Sequence, residues 1–127
     1  MSTTAVGRLG VVAIDCPEPR VLAEFYRGVV GGEPEGDDEW VTLQNGADVS
    51  VAFQRADEWT PPVWPGADSP QQAHLDVYVP DLDEGERRVL ALGARKAEFQ
   101  PGTSFRVYLD PVGHPFCLCV DQTGAGY

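Results

Sequence analysis

The chain has 127 residues, 43% hydrophobic and 23% charged, with a formal net charge of -11 at pH 7. That length suits one ordinary domain core and not two, and the composition is that of a chain able to fold. The acidic balance excludes a grip on phosphate backbones, which needs clustered Lys and Arg to release counterions, so no nucleic-acid partner is expected.

The same charge suits cationic ligands, or simply keeps the surface solvated. Residues 1–10 lack a basic start and an uninterrupted apolar stretch, and no apolar run approaches the roughly 20 residues of a membrane span. A soluble, cytoplasmic protein is expected. Of the three cysteines, Cys117 and Cys119 lie two apart on what reads as a strand, so both face the same side in poor disulfide geometry. All three read as reduced thiols.

In chain order, residues 11–16 read as a strand. Pro17 and Pro19 follow and suit a helix entrance, since proline preorganises the first turn. Leu22, Phe25, Tyr26 and Val29 then recur at helical spacing up to Gly31-Gly32, which fits a C-cap. Residues 40–43 and 49–54 read as hairpin arms around Asn45-Gly46, and the weak segment 33–38 can supply one more strand. Residues 58–72 carry four prolines with Trp59 and Trp64 and read as a stiffened connection.

The pattern then begins again. Residues 73–78 alternate polar and apolar side chains as a strand does. Asp81 and Glu84 have capping-box spacing, and Val89, Leu90 and Leu92 supply an apolar helix face before Gly93. Strands are expected at 96–99, 104–109 and 116–120, with a turn at Asp110-Pro111-Val112-Gly113 between the last two. The halves therefore form a structural repeat displaced by roughly sixty residues. Module one covers about residues 6–57, the linker about 58–72 and module two about 73–121, all within a single α+β domain.

Strand side chains alternate between faces, which divides each strand into a helix-covered side and a remainder. The apolar set expected under the helices is Val12, Ile14, Val51, Phe53, Leu75, Val77, Phe105, Val107, Phe116, Leu118 and Val120. The opposite set contains Val11, Ala13, Asp15, Ser50, Gln54, His74, Asp76, Tyr78, Arg106, Tyr108, Cys117 and Cys119. His, Tyr, Arg and Cys together suggest a partly enclosed surface that meets a small molecule, the alternative being an ordinary wet sheet face.

Arg106 and Tyr108 are candidates to hold a ligand carboxylate or phosphate, with an internal ion pair to Asp76 or Asp15 as the alternative. Trp64 is a candidate aromatic wall, although tryptophans in proline-rich loops also anchor them to the body.

The layout, with Phe25-Tyr26, Trp64-Pro65, the strand His74-Leu75-Asp76-Val77 and the run from Asp110-Pro111-Val112-Gly113-His114 to Pro115-Phe116-Cys117-Leu118, resembles the vicinal oxygen chelate superfamily over nearly the whole chain. That superfamily includes glyoxalase I, ring-cleaving dioxygenases and bleomycin-resistance proteins, and the likeness is to its short bacterial glyoxalase-like group. The resemblance implies two βαβββ modules in a cupped, barrel-like mixed sheet with helices outside, and a homodimer.

It also places the superfamily's metal-ligand positions near Val11, near Gln54, on His74 and on Cys117. Val11 offers no donor, Gln54 is a weak neutral oxygen, and Cys117 puts soft sulfur where a carboxylate usually stands, which disfavours hard cations. No complete metal site is expected. If a metal binds, His74, Gln54 and Cys117 would hold it, zinc being the suitable ion.

His74 is the tentative catalytic or hydrogen-bonding group, or else a satisfied structural histidine. The ligand-binding candidates are Gln54, Trp64, His74, Asp76, Arg106, Tyr108 and Cys117. The function expected is small-molecule binding without a tightly bound cofactor. The alternative is a metal-dependent lyase, isomerase or dioxygenase, or a metal-free acid–base catalyst using His74 with Asp76 or Tyr108.

Overall fold

The computed structural model describes residues 9, 11–46, 49–66 and 73–120. The chain divides into two compact units, residues 1–59 and 60–127. In the first, β1 (Val11–Cys16) leads into α1 (Pro19–Val30), followed by β2 (Glu33–Gly36), β3 (Trp40–Gln44) and β4 (Ser50–Arg55). In the second, β5 (Leu75–Val79) leads into α2 (Leu82–Leu92), then β6 (Arg95–Lys96), β7 (Phe105–Leu109) and β8 (Pro115–Val120). The sheets are ordered β1-β4-β3-β2 and β5-β8-β7-β6, and in each the first strand runs parallel to the last while the remaining neighbours are antiparallel. Each unit is thus a βαβββ module, and the repeat read from the sequence is one of topology.

In the first unit Pro19 opens α1 and Gly31, at φ 79, closes it by donating its N–H to the Arg27 carbonyl. Leu22, Ala23, Phe25 and Tyr26 are buried at helical spacing, and the Tyr26 ring stacks on Phe53 of β4 with centroids 5.5 Å apart. Phe53 therefore lies on the helix side, with Val41 and Leu43 of β3 joining it there through the β3–β4 register. Gly36 ends β2 at φ 144, where an added Cβ would come within 2.0 Å of the Trp40 carbonyl oxygen, so only glycine lets the two strands close. Residues 47–48, between the Asn45-Gly46 turn read from the sequence and β4, lie outside the described residues.

In the second unit the Asp81 carboxylate accepts from the backbone N–H groups of Asp83 and Glu84 and caps α2, while the Glu84 carboxylate pairs with Arg87. The expected apolar face of α2 is only partly realised: Val89 is buried, but Leu90 and Leu92 remain 42% and 41% exposed. The helix meets the sheet along Gly85, where an added Cβ would lie 3.1 Å from Leu118 and 3.4 Å from Val79. Close approach there turns the Gly85–Glu86–Val89 side inward and leaves the two leucines off it. The strand expected at 96–99 stops at Lys96. Beyond it the Gln100 side chain takes over the ladder, donating to the carbonyls of Ala97 and Val107 at 2.8 and 2.9 Å and accepting from the Val107 N–H at 2.9 Å.

The turn into β8 is tied by Asp110. This fully buried carboxylate accepts from the N–H groups of Val112 and His114, each at 3.0 Å, and the Asp110 N–H donates to the His114 carbonyl. The tie sets where β8 begins and hence which of its side chains face which way.

Candidate functional site

Register decides the site. β5 and β8 are parallel with Asp76 opposite Cys117 and Tyr78 opposite Cys119, so these four side chains share the face turned away from α2. His74 immediately precedes β5 on the same side, its Nε2 3.1 Å from Asp76 Oδ1. One donor atom from each of His74, Asp76 and Cys117 lies within 4.8 Å of the others. Cys117 is buried, whereas the His74 and Asp76 side chains are 41% and 54% exposed, so the cluster opens to solvent on one side.

Burial pushes the Cys117 thiol up to about 12, and the neighbouring Asp76 carboxylate adds to the effect by charge and by accepting its hydrogen bond. The Cys119 thiol is raised for the same two reasons, burial first. Neither sulfur is a ready nucleophile at neutral pH, since attack requires the thiolate.

An apolar border adjoins the cluster. Cys117 packs with Ala97 and Val107, against which Trp64, Phe105 and Cys119 are also packed. Trp64 meets Phe99 with ring centroids 5.8 Å apart at a tilt of 46°. Phe99 is 52% exposed and stands in the loop that Gln100 braces. Phe99 and Gln100 were not singled out in the sequence, where Phe99 reads as one more strand residue. The amide that braces the loop pairs with backbone rather than side chain, which leaves no residue pattern to find.

Arg106 and Tyr108 do not belong to this face. β7 and β8 are antiparallel with Val107 opposite Cys117 and Tyr108 opposite Phe116, so Phe105 and Val107 share the side of Cys117 and Arg106 and Tyr108 take the helix side. The assignment of β7 by apolarity is therefore inverted. The reason lies in α2, which turns acidic groups toward the sheet: Tyr108 Oη donates to Glu86 at 2.9 Å, and Arg106 pairs with Asp83 at 2.8 Å and Glu86 at 3.5 Å. Lys96 completes the group at 2.9 Å from Glu86.

The Lys96 ammonium, with Tyr108 and Arg106, holds the Glu86 carboxyl below its usual range. Burial, reinforced by Glu86, raises the Tyr108 phenol well above its ordinary value, so it remains a donor. The ion pair considered for Arg106 exists, but with the helix rather than with Asp76 or Asp15.

Gln54 belongs to the first unit, exposed on the face opposite α1, where it pairs in register with Asp15 of β1 and Trp40 of β3. A cavity of about 390 Å³ in that unit lies beside the start of α1, lined by residues that include Arg20, Asp38 and Arg55. Both arginines are already paired, with Asp38 at 2.9 Å and Glu39 at 3.1 Å, so the cavity presents no uncommitted cation among these lining groups.

The set His74, Asp76 and Cys117 supplies one nitrogen, one oxygen and one sulfur donor. It suits a borderline-soft tetrahedral ion with a fourth position open, and is too poor in oxygen for a hard six-coordinate cation.

Two βαβββ modules, each with its first and last strands parallel, the second with a polar cluster on the face away from its helix, define a class of α+β protein. The glyoxalase-like domain model matches residues 11–119, from the start of β1 to one residue short of the end of β8, and the chain belongs to that family and so to the vicinal oxygen chelate superfamily. Among solved structures it resembles a glyoxalase/bleomycin resistance protein/dioxygenase family enzyme from Burkholderia phytofirmans, with 18% identity, 88% of this chain and 97% of that one covered and a TM-score of 0.66. A fosfomycin resistance protein from Mesorhizobium loti matches at 16% identity, covering 94% and 97%, with a TM-score of 0.66. An antibiotic-binding protein from a Streptomyces species matches at 18% identity, covering 93% and 98%, with a TM-score of 0.60. No curated protein matches the sequence significantly. No helix among the described residues is long and apolar enough to cross a membrane.

Proposed function

We propose that the chain is a small-molecule-binding protein of the glyoxalase/bleomycin-resistance kind, which receives its ligand on the second-module face and retains no tightly bound metal when isolated. The supporting observation is the juxtaposition on that face of a solvent-open polar cluster, His74, Asp76 and Cys117, with an aromatic border, Trp64 and Phe99. Ligand sites commonly combine apolar walls with a few convergent polar groups. Gln54 supplements the site only if the first unit takes part.

The resemblance puts the superfamily's first-strand donor position near Val11, whose side chain offers no donor atom, and this supports a resting chain without a tightly held metal. Neighbours named for fosfomycin resistance and antibiotic binding favour the same class of activity. A cytoplasmic homodimer belongs to this reading.

A thermal-shift screen of metabolites and antibiotics in metal-free buffer tests it, because a ligand at 100 times its Kd adds about 2.7 kcal/mol to the native state. His74→Ala should remove the ligand-induced shift while moving the melting temperature of the free chain by less than about 2 °C. A large loss of stability would instead make His74 a structural residue. Elemental analysis should find well under one metal per chain. Stoichiometric zinc, iron, nickel or manganese would replace this reading by the metal-dependent lyase, isomerase or dioxygenase.

A further inference from the structure

We infer that the cavity beside the start of α1, in the first unit, is a second ligand site, and that it takes a small zwitterion of the amino-acid type, a carboxylate and an ammonium group carried on one molecule. The inference goes beyond the reading above and does not rest on it, since none of the residues involved belongs to the second-unit face.

The strands set the position. β1 and β4 run parallel with Cys16 opposite Arg55, so both end at one level, where the chain turns through Pro17 into α1. The space beyond the carboxyl ends of parallel strands is where open α/β sheets take their ligands. Here it measures about 390 Å³, within the roughly 300–1,000 Å³ of small-molecule sites. Pro17, Pro19 and Val21 supply an apolar lining, and Val21 is left 57% exposed.

Charge selects the ligand. Arg20 and Arg55 line the cavity together with Glu18 and Asp38. Both guanidinium groups are paired but not used up, because each carries several N–H donors. Arg20 spends one on Asp38 and one on the Gly36 carbonyl, whereas Arg55 spends one on Glu39 and reaches Asp57 only at 3.8 Å. Arg55 therefore has the more donors to spare and is the group assigned to the ligand carboxylate. Glu18 stands at the N-cap of α1 without bonding the helix, and its carboxylate has no partner among the described residues. It is the acceptor assigned to the ammonium. A simple anion is repelled by a chain of net charge -11, and a simple cation by the guanidinium groups. A molecule with both charges and no net charge avoids both penalties.

Amide-correlation NMR spectra of the full chain test the site, with L-leucine, L-phenylalanine and alanyl-leucine as probes, each beside its N-acetyl and its carboxamide form, at up to about 10 mM. At least one zwitterion should move the backbone signals of Glu18, Arg20, Val21, Asp38 and Arg55 saturably, and blocking its amine or its carboxylate should weaken binding about tenfold or more. Glu18→Gln should weaken the zwitterion and leave the already weak N-acetyl form as it was, a split that a distorted site would not show. Arg55→Gln should do the same with the carboxamide form. His74→Ala should change none of these shifts.

Four results would overturn the proposal: no saturable shift from any probe in a chain whose spectrum is that of a folded protein; blocked forms that bind as well as the zwitterions; equal losses of zwitterion and N-acetyl binding in Glu18→Gln; or a loss in His74→Ala as large as that in Glu18→Gln. A ligand found by thermal shift and lost in His74→Ala belongs to the second-unit face, so either site can fail while the other stands.

Discussion

Tyr108→Phe deletes one hydroxyl from a fully buried ring and so isolates the part that Arg106 and Tyr108 play. The hydroxyl donates at 2.9 Å to a charged carboxylate, Glu86, and bonds to charged groups contribute about 1.5–3 kcal/mol. Glu86 keeps Lys96 and Arg106, and the ring keeps its stack on Phe116 at 5.7 Å, so the low end applies, about 1.5 kcal/mol. With an unfolding entropy of about 0.27 kcal/mol/K for a chain of this length, the melting temperature should fall by about 5–6 °C at pH 7.

The pH dependence has a definite sign. The Glu86 carboxyl is lowered in the folded chain, chiefly by Lys96, so its stabilisation is complete above its unfolded value near 4.5 and is lost as pH falls through the lower folded value. Melting curves of the two proteins recorded by circular dichroism should therefore converge as the pH is taken well below 4.5. A difference under 1 °C at pH 7, or one that widens in acid, would refute the clamp between α2 and β7. The ligand-induced thermal shift of Tyr108→Phe should match that of the parent.

Gly36→Ala should destabilise by about 2–3 kcal/mol or more, because its Cβ would run into the Trp40 carbonyl, which is backbone and cannot swing aside; urea denaturation reads this, and a neutral result would contradict the β2–β3 closure. Asp110→Ala removes the acceptor for two turn N–H groups and should cost about 2–4 kcal/mol in the same assay. Cys117 should alkylate at pH 8 roughly a thousandfold more slowly than a peptide thiol, as followed by mass spectrometry of the tryptic peptides. Labelling at the peptide rate would mean that the thiol is not held protonated.

Much of the architecture was legible in the chain. The order of elements, the helix with Leu22, Phe25 and Tyr26 inward, the caps at Gly31 and Asp81, and the repeated βαβββ plan all follow from local chemistry that acts within a few residues, namely proline at an entrance, glycine beyond an exit, and apolar spacing. His74, Asp76 and Cys117 could be placed on one face for the same reason, since a two-residue period is local once a strand is recognised. The fold family followed from the same motifs.

What needed the tertiary structure was the side to which each alternation belongs. In β7 the period was right and its phase wrong, because α2 meets Arg106 and the buried Tyr108 with Asp83 and Glu86, and this half-exposed charged network accepts polar residues where apolar ones were expected. Phase is set by inter-strand register and by the partner helix, both of which join residues far apart in the chain. The polar cluster obeys the same rule: parallel pairing of β5 with β8 brings Asp76 and Cys117, forty-one positions apart in the chain, into adjacency beside His74.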